Sequence, residues 1–324
     1  MKKYDVSSIC NALVDILVEA KEEDIGKLGL TKGIMHLVDD KRQAEVFHYF
    51  STASKTEELG GSSLNAIRTL ASLDAKTAFA GMIGQDDHGS KIESRMKDLG
   101  IDAHLQKIDD TATGSCFILV TPDGERTMNT NLGASVKFTE SLVPHDVIKD
   151  SKVFHFCGYQ WGSEGQIAAI KQGIKTAKDN KTIVSFDVAD PFVVDLNREA
   201  FIEIINNDAD IVFANQEEAK LLYQGSPEYA CDEIAKTGAI AVIKLGAEGA
   251  LIGKGETRVK VKAVETKVVD TTAAGDMFAA GFLYGFYNDQ TLETCGQIAA
   301  ELASDVISRI GGMVSETGIQ KVKI

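Results

Sequence analysis

The chain has 324 residues, of which 44% are hydrophobic, enough for one large α/β core with room for a smaller unit. Asp and Glu number 48 against 34 Lys and Arg, so the formal net charge at pH 7 is −14. Proteins that bind a nucleic acid backbone need a cationic surface, so this charge argues against nucleic acid as the main partner.

The N-terminal residues reach the charge of Asp15 too soon to contain the apolar region of a signal peptide. No apolar run approaches the ~18 residues of a membrane span, so we expect a cytoplasmic protein that does not enter a membrane. The five cysteines are scattered without a C-x-x-C pair, and the six histidines show no paired spacing. We therefore expect reduced, structural cysteines and no transition-metal site.

Apolar runs rich in β-branched residues alternate with segments that carry apolar residues at helical spacing. The runs predict buried strands at 152–156, 182–187, 211–214 and 239–245, and the intervening segments predict helices at 165–178, 198–206 and 227–237. This alternation predicts an α/β fold with a mostly parallel sheet covered by helices. Ligands of such folds bind at the carboxyl ends of the strands.

Two segments outside this alternation predict a small β-sheet. Residues 33–38 are strand-like, and residues 115–121 lead through the turn Pro122-Asp123-Gly124 into a returning strand at 126–130. We expect a lid of residues 33–52 and 103–130 on a main domain of residues 1–32, 53–102 and 131–324. The alternative is that these strands extend the edge of a single sheet. A lid edge could pair two copies into a homodimer or remain free in a monomer.

The most informative stretch runs from Val268 to Phe282 and predicts a strand end, a turn of small residues and an apolar helix. The backbone amides of Ala273, Ala274 and Gly275 would lie at the helix start, where unpaired N–H groups and the helix dipole favour an anion. Asp276 would place a carboxylate beside that anion. Such a pair suits phosphoryl transfer, because the amides stabilise charge while the carboxylate accepts a proton. Alternatively, Asp276 only stabilises the helix dipole.

A second stretch places Gly60 and Gly61 before a helix whose first turns contain Ser62 and Asn65. Glycines let a polyhydroxylated ligand approach the backbone, and an amide can donate to and accept from vicinal hydroxyls. Asn11 and Asp15, near the end of the first predicted strand, supply a further amide and carboxylate for the same purpose. A purely structural glycine pair before a helix is the alternative.

Two later motifs follow predicted strands. Asn215 and Glu218 have the spacing of an N-terminal capping box, which explains them without any function, and they could also orient Mg²⁺ through water. Lys244 ends a strand, and Gly246 and Gly249 belong to the glycine turn that follows it. This turn would indicate a functional site only if it lies beside the anion turn, which is the turn of small residues at 273–275.

In this order and at these separations, the four motifs resemble the ribokinase-like (PfkB) family of carbohydrate and nucleoside kinases. The resemblance covers essentially the whole chain, and segments 11–16, 121–128 and 131–134 look most like its bacterial adenosine kinase-like branch. It implies a doubly wound α/β domain with a small β lid, and transfer of the γ-phosphoryl of ATP to a primary hydroxyl of a small nucleoside or sugar.

The resemblance also implies roles for individual residues. Asp276 would be the catalytic base and the amides of residues 273–275 the anion hole. Asp15, Gly61 and Asn65 would hold ribose-like hydroxyls, with Asn11 and Gly60 beside them. Independently of the resemblance, the lid residues Met35, Leu37 and Phe117 are candidates for packing against a base or sugar face, and the alternative is that they only form the core of the lid. Lys244, Gly246, Gly249 and Asn215 would border ATP, with Asn215 and Glu218 near Mg²⁺. Backbone groups around Asp270 and Thr272 could bind K⁺.

One residue departs from the family pattern, which usually has glycine where this chain has Ala273. Alanine keeps the N–H donor but disfavours a positive φ, at a cost on the order of 1 kcal/mol. We expect an active kinase of adenosine or a related nucleoside. A sugar kinase such as a fructokinase is the alternative enzyme, and a non-catalytic ligand-binding protein is the alternative that Ala273 supports.

Overall fold

The computed structural model describes residues 2–324. The strands are β1 (Tyr4–Ile9), β2 (Leu13–Glu19), β3 (Met35–Leu37), β4 (Thr56–Gly60), β5 (Thr77–Gly84), β6 (Asp102–Ile108), β7 (Thr113–Val120), β8 (Arg126–Gly133), β9 (Ser151–Cys157), β10 (Ile183–Asp187), β11 (Ile211–Asn215), β12 (Ile240–Lys244), β13 (Ala250–Lys254) and β14 (Thr257–Val261). The helices are α1 (Glu22–Lys27), α2 (Asp40–Tyr49), α3 (Ser62–Ser72), α4 (Asp87–Asp98), α5 (His145–Lys149), α6 (Glu164–Asp179), α7 (Pro191–Asn207), α8 (Gln216–Tyr223), α9 (Pro227–Lys236), α10 (Ala274–Tyr287), α11 (Leu292–Ile307) and α12 (Glu316–Val322).

Within residues 2–324, nine strands form a large sheet in the order β14-β13-β12-β11-β10-β9-β1-β5-β6. Its strands from β6 to β12 run parallel, and β13 and β14 add an antiparallel edge. The chain winds from β1 outward to both sides, so the predicted doubly wound, mostly parallel α/β fold is confirmed. The point where the winding changes direction, beside β1, is where such folds bind ligands.

Helices cover both faces of the large sheet. One hydrophobic core packs α3, α10 and α11 against the sheet through residues such as Leu64, Ile67 and Phe282. A second core, which includes Ile170 of α6 and Phe201 of α7, fills the other face. Both layers form because the strands are apolar on both faces, as parallel strands buried between helices require.

The remaining five strands form a separate small sheet in the order β3-β8-β7-β2-β4. Antiparallel pairing of β7 with β8 confirms the predicted hairpin around Gly124, and the separate sheet excludes the single-sheet alternative.

The strand composition of the small sheet differs from the expected boundaries. β2, β4 and residues 131–133 belong to it, although the expected boundaries place them in the main domain. β6, most of which is expected in the lid, pairs with β5 in the large sheet. The placement of β2 and β6 cannot be predicted from their polarity. β2 is apolar almost throughout, like a strand of the large sheet, whereas β6 is a half-exposed edge whose polar residues suggest a lid.

No helix within residues 2–324 has the length and apolar character needed to cross a bilayer. The five cysteines are buried and none forms a disulfide in this part of the chain.

Candidate active site

A cavity of about 1220 Å³ lies between the carboxyl ends of the large-sheet strands and the inner face of the small sheet. Asn11, Asp187 and Lys244 line it from the ends of β1, β10 and β12, and Asp15 and Ile118 line it from the small sheet. The anion turn before α10 and the Asn215–Glu218 motif also line this cavity, so all four sequence motifs meet in one place.

Asp276 lies in the first turn of α10 and faces α3 across the cavity. Its Oδ1 accepts a hydrogen bond from the Ser62 hydroxyl at 2.7 Å, and its Oδ2 accepts one from the Asn65 amide nitrogen at 3.0 Å. Burial raises the pKa of Asp276 to about 6, although the two hydrogen bonds lower it. A carboxylate held in this way can accept a proton from a hydroxyl near neutral pH.

Asn65 thus has partners within the protein at both ends of its amide. Its Nδ2 donates to Asp276, and its Oδ1 accepts from Arg68 at 3.1 Å. The expected contact with substrate hydroxyls would have to use the second N–H of Nδ2, since an amide nitrogen carries two donors. The sequence indicated the residue, but not its contact with the carboxylate.

Gly60 and Gly61 join β4 of the small sheet to α3. Gly61 has φ of +106°, and a Cβ there would overlap the Asn11 carbonyl oxygen. A Cβ on Gly60, which does not line the cavity, would overlap the Asp15 carboxylate. Only glycines fit here, because the chain must turn sharply while it passes two polar groups of the cavity.

Asp15 points from β2 into the cavity and is partly exposed there. Burial raises the pKa of Asp15 to about 7, although the positive charges of Arg126 and Arg68 lower it. The amide of Asn11 is fixed nearby, since its Oδ1 accepts from Gln166 at 2.7 Å. Its Nδ2 donates to the Tyr159 carbonyl at 3.4 Å, so both ends of the Asn11 amide are held within the protein.

The anion turn has the strained conformation that its sequence suggested. Ala273 is the N-cap of α10 and lies in the left-handed region, with φ of 55° and ψ of 10°. The Ala274 amide makes a long hydrogen bond of 3.3 Å to the Thr271 carbonyl, so it is partly used within the turn. The first-turn position of the Gly275 amide, beside the cavity, leaves it free to bind an anion.

Asp270 and Thr272, whose backbone groups are expected to bind K⁺, are hydrogen-bonded to each other. The buried Asp270 carboxylate accepts from the Thr272 amide at 2.9 Å and from its hydroxyl, and also from the Gly311 amide at 3.0 Å. Arg126 of the small sheet approaches the same carboxylate, with Nε 3.5 Å from Oδ1. Side-chain oxygens of Asp270 are therefore engaged within the protein, and only backbone groups would remain for a cation.

The capping-box interpretation of Asn215 and Glu218 is complete in the structure. Asn215 Oδ1 accepts from the amides of Glu217 and Glu218 at 2.9 Å, and Glu218 Oε2 accepts from the Asn215 amide at 2.7 Å. Burial raises the pKa of Glu218 to about 7. Because both carboxylate oxygens already accept hydrogen bonds, these residues fit Mg²⁺ held through water better than direct ligation.

Lys244 lies at the end of β12 and donates to Asp187 at 3.0 Å. Burial alone would lower the pKa of Lys244, but the carboxylates of Asp187 and Glu218 hold it above its ordinary value. A Cβ on Gly275 would be 3.1 Å from the Lys244 ammonium, so this charge lies beside the anion turn. Gly246 and Gly249, both at positive φ, follow in the same wall of the cavity.

The small sheet contributes an apolar face to the cavity. Met35 and Leu37 line it as expected, with Leu37 57% exposed. Phe117 does not line the cavity and takes the alternative role, that of a lid core residue, because its side chain is buried on the opposite face, with its ring 5.5 Å from that of Phe47 on α2. Successive residues of a strand point to opposite faces, so the neighbours Cys116 and Ile118 face the cavity instead.

Several cavity residues escaped the sequence analysis. Tyr159, Trp161 and Phe192 come from loops and a helix start that carry no motif, and Arg126 and Asp187 stand at strand ends. Of these residues, only Asp187 could have been identified from the sequence, because it ends a predicted strand and ligands bind at the carboxyl ends of such strands.

Comparison with known proteins adds to this geometry. The model of the pfkB family of carbohydrate kinases matches residues 27–317. The structure is similar to a probable sugar kinase from Rhizobium etli (TM-score 0.94, 34% identity, 100% of this chain and 98% of that one). It is also similar to adenosine kinase from Sinorhizobium meliloti (TM-score 0.92, 34% identity, 98% of each chain). The sequence is 28% identical to 5-dehydro-2-deoxygluconokinase of Listeria monocytogenes over 80% of this chain and 83% of that protein.

Proposed function

Because the chain belongs to the pfkB family of carbohydrate kinases, we propose that it transfers the γ-phosphoryl group of ATP to a primary hydroxyl of a nucleoside, adenosine or a close relative. Membership in the family makes the chain a phosphotransferase with an alcohol as acceptor. The choice of a nucleoside over a free sugar is the part that the following observations support.

The apolar lining of the cavity supports this choice. Leu37, Met128 and Ile118 line it from the small sheet, and Trp161 and the 54% exposed Phe192 line it from the main domain. A free sugar is polar over most of its surface and gains little from such walls, whereas a nucleobase presents two apolar faces that stack on aromatic rings. The likeness to adenosine kinase from Sinorhizobium meliloti agrees with this choice.

In the proposed reaction, Asp15 and Asn11 hold the ribose hydroxyls so that the primary hydroxyl faces Asp276. Asp276 accepts the proton of that hydroxyl as the hydroxyl oxygen attacks the γ-phosphorus of ATP, and the bond from this phosphorus to the bridging oxygen breaks to release ADP. The Gly275 amide and the Lys244 ammonium stabilise the negative charge on the transferred group. Mg²⁺, held near Asn215 and Glu218 through water, would neutralise further phosphate charge. The small sheet acts as a lid that excludes water while the groups are aligned.

The test is ADP release from ATP and Mg²⁺ across adenosine, inosine, cytidine, ribose, fructose and 5-dehydro-2-deoxygluconate, with and without K⁺. We expect turnover with a purine nucleoside, and its loss in Asp276→Asn with binding retained. Turnover with a sugar alone would make the chain a sugar kinase. Adenosine binding without any turnover would favour the non-catalytic alternative.

Two variants test the proposed contact between Leu37 and the nucleobase. Leu37→Ala should raise the KM for the nucleoside by about tenfold, since it removes a side chain that would pack on the base. Ile34→Ala is the matched control, because Ile34 is similarly exposed on the same lid edge but does not line the cavity. An equal effect of the two variants would contradict base binding at this face.

A further inference from the structure

Arg68 is a buried charged residue of α3 that the proposed reaction does not use. Its side chain is 3% exposed, and its Nη1 donates to the Asn65 Oδ1 at 3.1 Å and to the Leu59 carbonyl at 2.6 Å. Glu58 and Asp15 are the negative charges close enough to stabilise it, and Arg95 opposes it. Burying a guanidinium is costly unless it is paired, so its presence beside the site calls for a role.

The chemistry of the guanidinium determines how Asn65 is oriented. A guanidinium only donates hydrogen bonds, so the end of the Asn65 amide that faces Arg68 must be its oxygen. The other end, which faces Asp276, must then be the nitrogen, and it lies 3.0 Å from Oδ2. Without Arg68 the amide could rotate and present its oxygen to the carboxylate. That arrangement is favourable only if Asp276 carries a proton, and a protonated Asp276 cannot accept one.

We infer that Arg68 is a positioning residue that orients the Asn65 amide nitrogen toward Asp276 and thereby keeps Asp276 ready to accept a proton. Arg68 Nη1 also donates to the carbonyl of Leu59, the last residue before the glycine pair, and so connects α3 to the lid strand β4. The inference rests on the proposed role of Asp276 as the base.

The first measurement needs no substrate. In protein with ¹³C-labelled aspartate carboxyls, the Asp276 signal is assigned by its loss in Asp276→Asn and then followed from pH 4 to pH 9. Ser62 and Asn65 face this carboxylate from α3, Asp15 from β2, and Asp187 and Lys244 from β10 and β12. Arg68→Met should move the midpoint upward by about 0.5 unit, because the carboxylate loses a donor.

A double-mutant cycle separates positioning from the loss of a nearby charge. In an Asn65→Ala background, Arg68→Met should shift the Asp276 midpoint by less than about 0.2 unit, because the residue through which it acts is gone. An equal shift with and without Asn65 would overturn the inference. Arg68→Lys keeps a donor and should give a smaller shift, and it serves as the second variant should Arg68→Met fail to fold.

The second measurement is turnover. Arg68→Met should lower kcat about tenfold while the acceptor KM stays within about twofold, and Arg68→Lys should restore part of the rate. Thr69→Val is the matched control, because Thr69 is buried on the same helix and its hydroxyl contacts Met277, the residue after Asp276. An equal loss in Thr69→Val would reduce Arg68 to a structural role. If the midpoint shift depends on Asn65 but no acceptor is turned over, Arg68 still orients Asn65 toward Asp276. The proposed kinase function would then be rejected.

Discussion

The Lys244 ammonium donates to the Asp187 carboxylate at 3.0 Å, and this ion pair spans the end of β11 to join β12 and β10. Both side chains are withdrawn from solvent, at 15% and 5% exposure. The pair lies next to the turn at Gly275, so the structure keeps a positive charge beside the place where phosphate would bind. Asp187 compensates that charge when no phosphate is present.

This pairing predicts that stability and activity can be separated at Lys244. Lys244→Met should reduce the free energy of unfolding by about 3 kcal/mol, because it leaves the buried Asp187 charge without its positively charged partner. Adding Asp187→Asn should restore most of that stability while turnover stays low. Urea unfolding and ADP release measure the two effects. Recovery of activity together with stability would show that Lys244 acts only as the partner of Asp187.

The pKa of Asp276 predicts the acid limb of the pH–rate profile. With a value of about 6, the carboxylate of the free enzyme is mostly ionised at pH 7 and becomes protonated as the pH falls, so kcat/KM should decline below about pH 6. Ser62→Ala removes one donor to the carboxylate and should move this limb upward. Steady-state rates from pH 4 to pH 9 measure the position of this limb. A limb near pH 4, or one unaffected by Ser62→Ala, would contradict the role of Asp276.

The sequence was sufficient for the central strands of the large sheet and for the anion turn. Strands such as β11 and β12 have apolar, β-branched runs of the right length, and their order follows from alternation with helices. Asp276 and Asn65 could be identified because helix starts with glycine or small residues leave a local signal. The positive φ of Ala273 could likewise be anticipated, since the family pattern has glycine there.

What the sequence did not reveal depends on contacts between distant segments. Nothing local to β2 indicates that its strand leaves the large sheet to pair with β7. The direction of Phe117 depends on the register of that pairing, because one step along a strand reverses the face. The contact of Asn65 with Asp276 joins residues 211 positions apart, and no spacing rule connects them.

The raised pKa of Asp15 predicts that this residue reduces stability at high pH. Its folded value is about 7, against roughly 4 in the unfolded chain, so its favourable contribution is complete below about pH 4 and is lost as the pH rises through 7. Asp15→Asn should therefore increase the free energy of unfolding by about 1 kcal/mol at pH 8 and change it little at pH 4.

The same variant should bind its acceptor more weakly, because Asp15 is proposed to hold substrate hydroxyls. Unfolding curves at pH 4 and pH 8 and the acceptor KM at pH 8 test both parts, with the pH 4 curve as the internal control. Equal stabilisation at the two pH values would mean that burial of the Asp15 charge is not the cause.

Ala273 predicts a gain of activity on substitution by glycine. Its φ of 55° costs alanine about 1 kcal/mol, and its methyl group lies 3.5 Å from where a Cβ would be on Gly312, in the wall behind the anion turn. Ala273→Gly should relieve this strain, although the added freedom of the unfolded chain offsets much of the gain in stability. We expect kcat to rise by less than about tenfold, the rate equivalent of the strain energy.

Ala274→Gly is the matched control for that gain, because Ala274 is the first residue of α10 and has helical conformation, so glycine relieves no strain there. It should leave kcat unchanged or lower it, since glycine weakens the helix start. ADP release at saturating substrate compares the two variants with the natural chain. If Ala273→Gly instead raised activity from undetectable to high, the natural chain would be a kinase that has lost efficient transfer. An equal effect in Ala274→Gly would assign the gain to flexibility of the helix start, with no part for the positive φ.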